Sequence, residues 1–214
     1  MTKIFAVLLV VVSMAGVGAL SGCSSDKRPG SPNAAASATP TPTPKPTETK
    51  TGRIAFQNMY IQAHAWAPDA QGFVEQSQPT KEITGIDGKS AVWSARFGSR
   101  ARGLAKAFAW SGTDSLDAPP RGISPSSEDS FSPNNLSTQI FDVGFLRSDT
   151  DQAFKVAQDH GGKALLEKEP ALPVSYRLEW SSRDNTAVWH VIYGKYKLSV
   201  SVDATTGQYL HLDR

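Results

Sequence analysis

The chain has 214 residues and a formal charge of +2, of which Lys3 supplies one. That balance gives no basic excess for nucleic acid. The single Cys excludes an intramolecular disulfide, while 39% hydrophobic residues and five Trp suffice for a packed core.

The chain begins with Lys3 and then an apolar run from Ile4 to Ala19. The run is short of the roughly 20 residues a span needs, and it fits the h-region of a signal peptide over residues 1–22. Small residues follow, then Leu20-Ser21-Gly22-Cys23. This tetrapeptide resembles the lipobox of bacterial lipoproteins. The resemblance implies cleavage before Cys23, diacylglycerol on its thiol and a fatty acyl chain, such as palmitate, on its new amino group. Several acyl chains hold a protein at a membrane without spanning it. In the enterobacterial sorting rule an Asp after the cysteine retains the protein at the inner membrane. Ser24 stands there instead, which leans towards the outer membrane. Residues 23–52 form the anchor and a tether. Its Thr39-to-Thr47 stretch alternates Pro with polar residues, which predicts a solvated, extended polyproline-like spacer.

Residues 53–111 predict a first helix-plus-sheet unit. Phe56, Met59, Tyr60, Ala63 and Ala67 recur at helical spacing, so a helix is expected over Arg53–Trp66, with Thr51 as cap and Pro68 as stop. His64 and Trp66 flank its aromatic face. Asp87-Gly88 is a turn, and Ala91–Phe97 reads as a strand with Trp93, Ala95 and Phe97 on one face. A further strand is expected over Arg102–Trp110. Arg96, Arg100, Arg102 and Lys106 are a candidate basic patch for an anionic glycan or lipid headgroup.

Residues 112–138, rich in Ser, Pro, Asp and Asn, predict a loop. Residues 139–214 predict a second unit: an extended Gln139–Leu146, a helix over Thr150–His160 capped at Ser148-Asp149 and ended by Gly161-Gly162, and then strands. Val174, Tyr176, Leu178 and Trp180 alternate. Val188–Tyr193 is apolar on both faces except at His190, and Leu198, Val200 and Val202 alternate with polar residues. A turn at Thr205-Thr206-Gly207 leads to a last strand, Tyr209–Leu212.

Lys89–Gly98 aligns with Asn185–Gly194: both contain Ala-Val-Trp, an aromatic residue four positions later, then Gly. The expected architecture is therefore α+β, in two similar halves, each a helix packed on an antiparallel sheet. From Asp151 to Asp213 the chain resembles PepSY-type modules, on Arg177-Leu178-Glu179-Trp180, Val188-Trp189-His190-Val191 and the ending Val202-Asp203-Ala204-Thr205-Thr206-Gly207. The first half lacks that ending. The resemblance implies an exported module that binds or inhibits rather than catalyses.

No motif for catalysis stands out. The four His lack metal-ligand spacing, and Gly-x-Ser-x-Gly, a phosphate loop and Ser-x-x-Lys are all missing. No cofactor or metal is expected. His190 reads as a hydrogen-bonded core histidine, with His211 sharing a face with Tyr209 and Asp213. Glu128-Asp129 and Glu167/Glu169 read as solvated carboxylates. The expected role is an anchored accessory module for an envelope protein or peptide. A glycan-binding lipoprotein and an envelope enzyme are the alternatives.

Overall fold

The computed structural model describes residues 45–213; the signal peptide, Leu20–Cys23 and most of the tether lie outside them. The elements in chain order are β1 (Lys50–Thr51), α1 (Gly52–Trp66), β2 (Gln71–Ser77), β3 (Lys89–Ser90), β4 (Val92–Ser99), β5 (Leu104–Ser111) and β6 (Gly122–Ser130). Then come α2 (Thr150–Ala157), α3 (Lys163–Lys168), β7 (Ser175–Ser181), β8 (Thr186–Tyr193), β9 (Leu198–Asp203) and β10 (Tyr209–Asp213). The fold is mixed α and β. Eight strands form one antiparallel sheet in the order β10-β9-β8-β7-β2-β4-β5-β6, and β1 pairs with β3 in a short ribbon.

Helix α1 forms because Ala55, Phe56, Met59 and Ala63 make a stripe that is fully buried against the sheet. Phe56 packs on Phe97 and Phe141. The cap is not the expected one. Thr51 accepts no bond from the helix; its hydroxyl instead donates to Asp149 Oδ2 at 2.7 Å. Asp149 Oδ1 accepts from the amide of Arg53 at 3.0 Å, and Thr150 Oγ1 accepts from that of Gly52 at 2.9 Å. The same Asp149 Oδ1 accepts from the amide of Thr150, the first residue of α2, at 2.7 Å. One carboxylate thus serves two helix N-termini, where negative charge is favoured.

The segment Gly161-Gly162 does not end the second helical stretch. Gly161 takes φ 110 within a wide turn over Gln158–Gly162, and the chain resumes as α3. A Cβ on Gly162 would stand 2.2 Å from the Tyr193 hydroxyl, so the glycines re-aim the helix around that side chain. In Gln139–Leu146 the backbone is extended at Gln139 and Asp142, as expected, but it joins no strand and gives way to a 3-10 turn at Val143–Phe145 that Asp142 caps.

The larger departure is β6, in the stretch expected to be a loop. Its sequence Gly-Ile-Ser-Pro-Ser-Ser-Glu-Asp-Ser has no apolar alternation because β6 is an edge strand, exposed along most of its length. Pro125 fits there since an edge strand has a side with no ladder to donate to, and it adjoins a register shift against β5. Strand β2 was equally unforeseen. It lies at the middle of the sheet, between β4 and β7.

Trp93 on β4 and Trp189 on β8 occupy matching places. Trp93 Nε1 donates to the Lys50 carbonyl at 2.9 Å and Trp189 Nε1 to the Ser148 carbonyl at 3.1 Å. Each carbonyl lies just ahead of a helix, and the two rings meet edge to face at 6.5 Å.

Candidate functional site

All three helices lie on one side of the sheet, where Trp93, Ala95, Phe97, Leu178, Trp189, Val191 and Val200 join the core. Residues of opposite parity face the other side. Directly opposed residues of neighbouring strands share a face, so the register traces this second surface. Ser94 and Arg177 flank Gln76, and Arg96 and Glu179 flank Val74. Arg177 and Ser201 flank His190. His211 then opposes Ser201, and Asp213 opposes Ser199.

At the β8–β10 end this surface carries a polar network. His190 Nδ1 lies 2.8 Å from Asp213 Oδ2 and 3.0 Å from Ser201 Oγ, while His190 Nε2 lies 3.6 Å from Glu179. Asp213 also accepts from the hydroxyls of Ser199 and Ser201. His211 Nε2 bonds Asp184 at 3.1 Å, while its Nδ1 lies 3.3 Å from Asp213 without forming a hydrogen bond. Burial pushes the Asp213 carboxyl upward, but the bonds from Ser199, Ser201 and His190 outweigh it and hold Asp213 below the ordinary range. Asp184 behaves alike: burial is opposed by Ser181 and His211, and the net direction is down.

A Ser–His–acid relay needs hydroxyl and carboxylate on opposite ring nitrogens. Here Ser201 and Asp213 both approach Nδ1, and the Ser201 hydroxyl donates to Asp213. Glu179 stands 3.6 Å from Nε2, beyond hydrogen-bond distance, so the groups bridge neighbouring strands without the spacing of a relay. Among the described residues no group of His, Cys, Asp or Glu is arranged to hold a metal ion. The sequence could not show this network, because a bulge in β10 sets its parity. Tyr209 stacks on His160 on the helix side, and the shift between Tyr209 and His211 sends His211 to the opposite face. The expectation that Tyr209 and His211 share a face is thereby corrected.

A lowered carboxyl stabilises the fold above its unfolded value and loses that contribution as pH falls through the folded one. Asp213→Asn is therefore expected to be less stable than wild type at neutral pH. The gap should close below about pH 4. Urea unfolding at stepped pH reads this directly; a gap that persists into acid would refute it.

At the other end of the same face lies a shallow hollow of about 590 Å³, bordered by Arg96 and Arg177, with Phe73, Ser94 and Ala107 among its lining. Arg96 Nη2 bonds Asp129 at 2.9 Å, and Arg177 Nε bonds Glu179 at 2.8 Å.

The four expected patch cations do not share a surface. Arg96 lies on the helix-free face. Lys106 opposes Phe97 and so faces the helix side. Arg102 donates to the Trp66 carbonyl at 3.1 Å and to Glu128 at 3.3 Å, with its guanidinium 4.9 Å from the Trp66 ring. Arg100 lies with Tyr60, His64 and Asp69 at the end of α1. Of the carboxylates expected to be solvated, Glu128, Asp129 and Glu167 are exposed and Glu169 is half-exposed; Glu128 pairs at the surface with Arg102 and Trp66 Nε1, Asp129 with Arg96, and Glu169 with Lys195.

No protein-family model matches the chain. No curated protein matches it either. Among solved structures, a chain from Clostridium difficile 630, described provisionally as a lipoprotein, aligns with a TM-score of 0.49 and 10% identity, covering 77% of this chain and 95% of that one. A likeness of that size assigns neither family nor activity.

Proposed function

We propose that the protein is a lipid-anchored envelope lipoprotein whose folded part binds an extended protein or peptide segment. The anchor reading rests on Leu20–Cys23 and the apolar run before it, and Ser24 favours the outer membrane. The observation that carries the binding reading is the helix-free face. Eight strands present it, its side chains Gln76, Ser94, Arg96 and Arg177 are half-exposed or exposed, and it holds a hollow of a size that suits a ligand.

The same reading treats the chain as two copies of a helix-plus-meander unit joined through β2 and β7. In favour are the strand order, which runs outward from that pair in sequence on each side, and the matched Trp93 and Trp189 bonds. The edges offer a second mode of engagement. Strand β10 is paired only with β9 and exposes Tyr209 and Leu212, so an added strand could extend the sheet there.

Cross-linking in intact cells, followed by purification in detergent and mass spectrometry, tests the proposal. A near-stoichiometric protein partner is expected, and Cys23→Ala should release the protein from membranes washed in high salt. Recovery of no partner above background would refute the binding role. Membrane retention of the Cys23→Ala protein would refute the anchor.

A further inference from the structure

The two ends of the helix-free face are related, and the relation points to a ligand. With Trp93 laid on Trp189, the register carries Ser94 onto His190. It also carries Ala107, which opposes Arg96, onto Ser199, which opposes Ile192. Ala109, which opposes Ser94, falls on Ser201, which opposes His190. On the outermost strands, Ser126 holds the amide of Ala107 as Asp213 opposes Ser199. One end of the face is therefore filled by an imidazole, a carboxylate and two hydroxyls. The matching place at the other end carries Ser94, Ala107, Ala109 and Ser126, all small, and Ser94, Ala107 and Ser126 line the hollow.

Two guanidinium groups border the hollow, Arg96 and Arg177, each paired with one carboxylate, Asp129 and Glu179, and each keeping N–H groups beyond that pair. Each guanidinium carries five N–H donors in a fixed fork. Arg96 commits Nη2 to Asp129, and Arg177 commits Nε and Nη2 to Glu179. The remaining N–H groups suit a carboxylate, for which bidentate arginine contacts are both strong and directional. Gln76 and the Ser94 hydroxyl add hydrogen-bonding capacity beside an apolar floor of Phe73 and Val74. The lining runs across five neighbouring strands, from Arg177 on β7 to Ser126 on β6, roughly 19 Å at about 4.8 Å per strand, so the hollow accommodates an extended chain laid across the strands.

We propose that this hollow is a binding site for an extended acidic peptide, with a carboxylate side chain held between Arg96 and Arg177. The proposal rests on the binding-module reading and names its site and ligand class. In the second half the same place is occupied by the protein's own Asp213 on His190. In the first half the carboxylate comes from the partner.

The test uses the full-length protein in detergent and a fluorescein-labelled Ser-Glu-Ser-Glu-Ser peptide capped at its C-terminus, read by fluorescence anisotropy. Saturable binding is expected. It should weaken at least about tenfold in Arg96→Gln/Arg177→Gln, and to a similar degree when the peptide's Glu residues are replaced by Gln. A second variant, Ser94→His/Ser126→Asp, refills the hollow from the matching positions and is expected to abolish binding while keeping the wild-type circular dichroism spectrum. Equal affinity of either variant for the peptide, or of wild type for the Gln peptide, overturns the proposal. So does the lack of binding at about millimolar peptide, or a preference for polygalacturonate over the peptide. The failure of this site is separable from failure of the binding role. If Arg96→Gln/Arg177→Gln still captures the cross-linked partner, the module binds elsewhere and only the hollow is excluded.

Discussion

Truncating Trp189 to alanine is expected to lower the unfolding free energy by about 3–5 kcal/mol, the cost of emptying a large aromatic site in a packed core. Trp189 is fully buried, and its indole fits so closely against α1 that a Cβ on Gly52 would stand 2.5 Å from the ring. Its N–H also satisfies the Ser148 carbonyl ahead of α2. Trp189→Phe separates the two contributions: it keeps most of the apolar volume and leaves that carbonyl without its donor, for an expected loss of about 1–3 kcal/mol. Trp93→Ala should cost as much as Trp189→Ala. Since the rings touch, the double variant should deviate from the sum of the single ones by about 0.5–1.5 kcal/mol. Urea unfolding followed by circular dichroism measures all four; strict additivity would show that the two halves of the core are independent.

Replacing Glu75 by leucine is expected to stabilise the protein by about 1–3 kcal/mol at neutral pH, and by less in acid, where the carboxyl is protonated in both states. Glu75 lies on β2 under the helices, fully buried between Ala95 and Leu178, and neither of its oxygens finds a hydrogen-bond partner. Burial, and then the nearby Asp149 carboxylate, push its carboxyl well above the ordinary range. The sign follows from linkage. A raised folded-state value means that the contribution is fully present below the unfolded value, about 4.3, and is lost as pH rises through the folded value. Wild type should therefore lose stability across that window, whereas Glu75→Leu should lack this decline. Glu75→Gln is the informative control, because it removes the charge but keeps an unpartnered polar group. Its pH profile should be flat without the full gain of leucine. Wild-type and leucine profiles of identical slope would exclude Glu75 as the source.

Both expectations turn on residues whose legibility in the sequence differed. The Trp93 strand was readable because alternation over several residues forces one face inward, the Trp189 strand because its run is apolar on both faces except at His190, and Ala-Val-Trp recurs in both. Strand β2 was not, since Glu75 and Gln76 interrupt its apolar run and the buried member of the pair is the charged one. Strand β6 was hidden for the opposite reason: an edge strand open to solvent needs no apolar period, and Pro125 counts against any strand that is not an edge. The polar network at His190, Asp213 and His211 was legible only in part. The shared face of His211 and Asp213 could be read along β10, but His190 comes from β8, and one bulge decides which side of the sheet His211 and Asp213 face. The basic patch failed on parity. Arg96 and Lys106 look close along the chain, but a hairpin places them on opposite faces of the sheet.

The capping of α1 by Asp149 has a mechanical consequence. Thr51, Gly52 and Arg53 are all held by Asp149 and Thr150, while just upstream Glu48 bonds Gly112 and Lys50 pairs with Ser90. A pull on the chain ahead of Glu48 therefore cannot peel α1 away one turn at a time. The load is shared at once by bonds to β3, to the end of β5 and to the start of α2, residues far apart in sequence. The N-terminal entry to the domain is built as a multi-point clamp. Its rupture under force should come as one abrupt, high-force event rather than a gradual unzipping.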